Sequence, residues 1–160
     1  MPVHELQNYR YRGARALVLL HERALRALLP VWRRAKAAQI TLPSTKDPDY
    51  ASLESLLHHA LSAARGYTTW LCEKRGLPDP GIDPAPEAVR VEQDAESYVE
   101  HLLERNRLAL AEVKAEDFET VSKSRWGVDI SVECMMEHAV MHPERHRFQL
   151  EELLDAQGRS

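Results

Sequence analysis

Apolar residues return at three- and four-residue steps over most of the chain. From about Val3 to Ala38 the stripe is Leu6, Tyr9, Gly13, Ala16 or Leu17, Leu20, Ala24, Leu28 and Val31, with Arg15, Glu22, Arg26 and Arg33 opposite. That period lays one apolar side along a helix of 3.6 residues per turn. Pro30 falls inside the pattern, where its missing N–H and its ring predict a kink or a break. A second helix is expected from about Tyr50 to Lys74, its stripe being Leu53, Leu56, Leu57, Ala60, Ala64, Tyr67 and Leu71. A third runs from roughly Gln93 to Val113 on Ala95, Tyr98, Val99, Leu102, Leu103 and Leu110, with Ser97, Glu100, Glu104 and Arg107 facing water. A fourth starts at a cap on Asp129 or Ser131 and reaches about Asp155, packing through Met135, Ala139, Leu150, Leu153 and Leu154.

The connections carry their own signals. Pro43, Ser44, Thr45 and Pro48 mark a loop before the second helix, with Asp47 or Asp49 as its cap and Pro48 suited to the first position after Asp47. After the second helix, Gly76 suits a C-terminal cap, and Pro78, Pro80, Pro84 and Pro86 forbid helical continuation. An extended segment of roughly 15 to 18 residues spans ~50–60 Å. A helix of about 24 residues is only ~36 Å long. The segment is therefore read as a crossover that leaves the second and third helices parallel. Lys114 to Asp129 reads as irregular, with Phe118 and Trp126 covering one end of the core and Gly127 in a turn. No strand pattern of useful length is visible. The expected fold is all-α, a four-helix bundle in a single domain over 1–160.

Composition narrows the classes of function. The chain has 160 residues, 29% charged and 44% hydrophobic, which suits a folded globular domain. A formal net charge of −4 and the lack of a basic stripe argue against nucleic acid. The longest apolar run, Ala16 to Leu20, is far below the ~20 residues of a membrane span. Met1 to Glu5 is polar and lacks the core of a signal peptide. Cys72 and Cys134 make no disulfide framework and suggest reduced, buried thiols in a cytoplasmic protein.

The candidate chemistry lies on the fourth helix. His138, His142 and His146 recur every fourth residue and so share one face. Two imidazoles at that spacing can close on one metal ion, and neutral imidazoles suit Zn, Ni, Cu or Fe better than Ca or Mg. Spacing permits His138 with His142, or His142 with His146. It does not bring all three to one ion easily, since eight residues separate the outer two by ~12 Å. Pro143 removes the bond to the Ala139 carbonyl and predicts a bend that changes how His142 and His146 converge. On the second helix His58 and His59 point about 100° apart. His59 lies with Leu56, Ala63 and Trp70 beside the apolar stripe, and His58 with Glu54, Ser62 and Arg65, so phase selects His59 as the inward one. His21 is read as a packing residue and His101 as lying near the solvated edge of its helix. Glu133 and Glu137 are close enough in sequence to orient a ligand, but as charged helix residues they are read as exposed. No Ser/His/Asp arrangement, nucleotide loop or CxxC motif occurs.

Leu56-Leu57-His58-His59-Ala60-Leu61-Ser62-Ala63 and His142-x-x-x-His146-Arg147-x-Gln149, together with four helices and a long second connection, resemble the DinB/YfiT-like metalloprotein superfamily. The resemblance implies an up-down-down-up bundle. It also implies a divalent metal on one histidine of the second helix and a His-x-x-x-His pair of the fourth: His59, His142 and His146. His138 is then a neighbour of the ligands or faces substrate. Zn or Ni is expected, with Fe or Mn as further candidates. Members are often homodimers, and some act with bacillithiol or mycothiol. Pro143-Glu144-Arg145 and Phe148 depart from the family pattern, where a histidine beside the last ligand and a glycine are common. Three ligands leave a position for water or substrate, the pattern of a catalytic site. The expected function is a metal-dependent enzyme acting on a small molecule, a thiol S-transferase or a hydrolase. The alternatives are a non-catalytic metal-binding protein of stress response and an interaction module with incidental histidines.

Overall fold

A computed structural model of the chain describes residues 8–157. Val3 and Leu6, which the periodicity places on the first helix, lie outside them. The described residues form five helices and one two-stranded ribbon. Helix α1 is Arg12–Ala37, α2 Leu53–Arg75, α3 Ala88–Ala111, α4 Ala115–Phe118 and α5 Val132–Ala156. Strands β1, Val121–Lys123, and β2, Asp129–Ser131, pair antiparallel with Val121 opposite Ser131. The chain is therefore mostly helical. Helix α1 packs on α5 and α3, and α2 packs on α3 and α5.

The ends of the helices follow local chemistry. The first helix begins later than its periodicity suggests, because Tyr9 is used as an anchor: its hydroxyl donates to the Arg107 carbonyl at 3.0 Å. Asp47 caps only a 3-10 turn over Pro48–Tyr50, with Pro48 at its first position. The cap of α2 is Ser52, whose hydroxyl accepts from the Ser55 N–H at 3.0 Å. Gly76 ends α2 at φ 62°, a left-handed conformation that costs glycine least. Ser131 caps α5 by accepting from the Cys134 N–H. The third helix begins at Ala88, so the connection covers only 76–87. At ~3.3–3.6 Å per residue those residues still reach ~40 Å. Residues 114–129, expected to be irregular, hold α4, β1 and the turn into β2. Three-residue strands are too short to show a period.

Two prolines sit inside helices without breaking them. Pro30 is exposed, and so is Arg26, whose carbonyl lacks the helical donor that a residue other than proline at position 30 would supply. Pro143 is buried, yet α5 continues through it.

The core has two apolar clusters. One contains Leu28, Trp32, Leu57, Leu61, Leu102, Leu103 and Leu150. The other contains Val18, Trp70, Leu71, Leu110, Phe118 and Met135. All seven stripe residues of α2 are buried, and so are Phe118 and four of the five packing residues of α5; the fifth, Leu153, packs against the core partly buried. Trp126 is not in the core; it is 57% exposed at the ribbon turn. Cys72 is buried, and its thiol is pushed up to about 11 by that burial, whereas Cys134 is exposed, contrary to expectation. Glu22 and Arg107, assigned to wet faces, meet each other between α1 and α3, with Glu22 buried. Among the described residues, no helix is long and apolar enough to cross a membrane.

Candidate metal centre

Along α5, His142 and His146 fall between Ala139 of one core cluster and Leu150 of the other. Both are buried, His146 almost completely at 1% exposure. The α-helical spacing of four stacks them one turn apart despite Pro143, with Nε2 atoms 3.4 Å from each other. His59 comes from α2, half-buried, and its Nε2 lies 3.1 Å from Nε2 of His142. One nitrogen from each of the three rings falls within 4.8 Å of the others, so the three can hold a metal ion. Tetrahedral zinc with bonds of ~2.0–2.1 Å separates its nitrogen ligands by about 3.3 Å.

The outward nitrogens explain why the lone pairs face inward. His59 Nδ1 lies 2.8 Å from Oδ2 of Asp49, an acceptor, so the proton sits on Nδ1 and Nε2 is left basic. His146 Nδ1 lies 2.9 Å from Oε1 of Gln149, with the same result. His142 has no such partner: its Nδ1 is buried without a hydrogen bond. Burial first, then the neighbouring His146, His59, His138 and Arg145, push the His142 pKa down to about 3. Burial also lowers that of His146, partly opposed by Gln149. Both rings are held neutral, the form a metal requires. A proton on His142 Nε2 could be shared with His59 or His146 but would leave the buried His142 Nδ1 an acceptor without a donor, so hydrogen bonds alone do not satisfy the cluster. A cation between the three nitrogens can, and on this ground the residues fit a transition metal.

A cavity of about 690 Å³ opens beside the cluster, walled in part by His59, His142, Tyr67, Trp126 and Met135. His146 lies behind this wall, with Tyr50 against it and against His59 at ring distances of 6.0 and 6.4 Å. His138 is not part of the converging set. Its ring lines the cavity between Tyr67 at 5.4 Å and Trp126 at 5.3 Å, 6.1 Å from the His142 ring. The Trp70 indole N–H donates to the Lys123 carbonyl at 3.0 Å and fastens the ribbon over this cavity.

The other candidates fall elsewhere. His58 turns to the 76–87 connection, with Nδ1 2.8 Å from the Pro86 carbonyl. His101 Nε2 accepts from the Asp83 N–H at 3.0 Å and serves the same connection. His21 is buried against Asn106, which donates to its Nδ1 at 3.1 Å. Glu133 and Glu137 are exposed. Asp49, one of two candidate caps for the second helix, instead orients His59; ten residues and a turn separate the two, so no helical spacing connects them. Gln149, by contrast, lies three residues from His146, within reach of a spacing argument.

Comparison with protein-family models, with curated proteins and with solved structures found no match for the chain.

Proposed function

We propose that the protein is a metal-dependent enzyme in which His59, His142 and His146 hold a divalent transition metal, zinc or nickel foremost. The observation that carries this is the inward convergence of three imidazole nitrogens, two of them backed by Asp49 and Gln149. A ligating histidine that donates its other N–H to a carboxylate or carbonyl is the usual support of a metal site. In this reading α1, α2, α3 and α5 form the up-down-down-up bundle of the DinB/YfiT-like superfamily, with 76–87 as the crossover. The same reading implies a cytoplasmic homodimer that acts on a small molecule, with a low-molecular-weight thiol as co-substrate in the transferase case.

A divalent ion bound there supplies Lewis acidity, which makes a water or a thiol in the cavity more acidic. The chain's own groups do the rest. Asp49 and Gln149 hold the ring orientations of His59 and His146. Tyr67, its phenol pushed up to about 12 by burial, stays protonated and can donate a hydrogen bond into the cavity. His138, lowered by burial and by Arg145, is neutral and can take a proton. Trp126 and Met135 displace water from the wall.

Elemental analysis of purified protein tests the site. One ion per chain is expected in the wild type and in His138→Ala, and none in His59→Ala or His146→Ala. Full occupancy in His59→Ala would overturn the ligand set. Chelation should then abolish turnover, and metal should restore it, in a screen of electrophiles with bacillithiol, mycothiol or glutathione and of hydrolysable esters without thiol. A fully loaded protein inert in every arm would leave the non-catalytic metal-binding reading instead.

A further inference from the structure

The wall of the cavity carries two guanidiniums, Arg125 and Arg145, and no carboxylate. The chain as a whole is acidic, with 25 Asp and Glu against 21 Lys and Arg. Local charge therefore runs opposite to global charge, and a bound metal would increase the difference. Neither arginine has a carboxylate within ion-pair distance among the described residues, although acceptors lie close by in sequence. Glu144, beside Arg145, is taken by Arg147 at 2.7 Å, together with Glu151. Asp129, four residues after Arg125 at the start of β2, is taken by Lys123, its partner across the ribbon, at 3.1 Å. The two free guanidiniums come from different elements, the ribbon turn and α5, and converge on one space.

One of them lies close against α2: a Cβ at Gly66 would stand 3.2 Å from Nη1 of Arg125. The ribbon turn that bears Arg125 is held by the Ser124 N–H donating to the Val128 carbonyl at 2.8 Å and by Trp70 on Lys123. Arg145 lines the same cavity from α5, together with Tyr67, His138 and His142. Besides the histidines and Ser62, the wall carries three flat aromatic side chains, Tyr67, Trp70 and the exposed Trp126. A guanidinium fork matches a carboxylate or phosphate, and an aromatic wall matches a planar body. The volume suits a small-molecule ligand, for which ~300–1,000 Å³ is usual.

We infer that this cavity binds a small oxyanion with a planar, apolar body, its anionic end received by Arg125 and Arg145 and its flat body against Trp126 and Tyr67. The inference names the substrate class of the metal-dependent reading and rests on that reading for what is then done to the anion, though not for its binding.

Calorimetric titration tests it with cinnamate and phenyl phosphate as oxyanions and cinnamamide as the neutral control. Each is titrated into zinc-loaded and chelator-stripped protein. At least one oxyanion should bind tenfold or more tightly than cinnamamide in both forms. Arg125→Met and Arg145→Met should each weaken that oxyanion by about tenfold or more, the effect of losing a charge-assisted hydrogen bond. Arg125→Lys, which keeps charge without the fork, should fall between. Zinc content should stay unchanged in all three variants. Equal affinity for acid and amide, or arginine variants that bind as the wild type does, would overturn the inference. Arginine-dependent binding in a protein that takes up no zinc would support it while removing the metal-dependent reading.

Discussion

Asp49 does for His59 what nothing does for His142. Its carboxylate fixes the proton on Nδ1 and orients a ring that, half-buried on the flank of α2, would otherwise have rotamer freedom. His142 is oriented by burial alone, and His146 by burial and Gln149. The three ligands are thus pre-set by different means, and removing one support should weaken metal binding without abolishing it. Asp49→Ala is expected to lower zinc affinity about 10–100-fold, the usual loss for an outer partner of a ligating histidine. Competition against a chelator of known affinity measures it. An unchanged affinity would mean that Asp49 merely sits beside the site.

Pro30 shows how an element absorbs a local conflict. A proline in the interior of a helix costs about 3 kcal/mol relative to alanine. Part of that is offset because proline also restricts the unfolded chain, by about 0.4–1 kcal/mol. The position is exposed, and so is Arg26, so a substitution disturbs no packing. Pro30→Ala should therefore stabilise the protein by about 2 kcal/mol, or raise its melting temperature by roughly 4–8 °C. A differential scan that finds no gain would mean that the helix depends on the bend proline imposes. The buried Pro143 has no such simple expectation, because its ring is part of the packing that presents His142.

Over the whole molecule, buried neutral histidines make stability depend on pH. His21 is buried between α1 and α3, and desolvation pushes its pKa down to about 4, against ~6.5 unfolded. The unfolded chain takes up a proton that the folded chain refuses. The contribution of His21 is thus fully present above pH 6.5 and is lost as pH falls from there to about 4. His21→Gln keeps a partner for Asn106 but removes the titration. In urea unfolding of metal-free protein at pH 7 and 4.5, the wild type should lose about 2–3 kcal/mol more than this variant. Equal losses in the two proteins would mean that His21 is charged in the fold.

The helices were legible because their period is local. The apolar stripe of α2 and most of that of α5 read along the chain as they pack, since residues three and four apart share a face whatever that face meets. The shared face of His138, His142 and His146 was legible for the same reason, and phase was enough to separate His59 from His58, but spacing left two pairs open on the fourth helix and only the resemblance selected His142 with His146. What meets those faces was not legible. Asp49 reaches His59 from a 3-10 turn, the ribbon folds over the cavity through the Trp70 indole, and Trp126 leaves the core to stand beside His138. None of these has a period, because each depends on where a connection lies after the helices have packed. The pairing of Glu22 with Arg107, two residues whose pattern pointed to water, has the same origin. Local spacing determined which side chains could act together on one element. The tertiary structure alone decided which elements brought their groups to one place, since burial and charge are compared only between surfaces that packing has already joined.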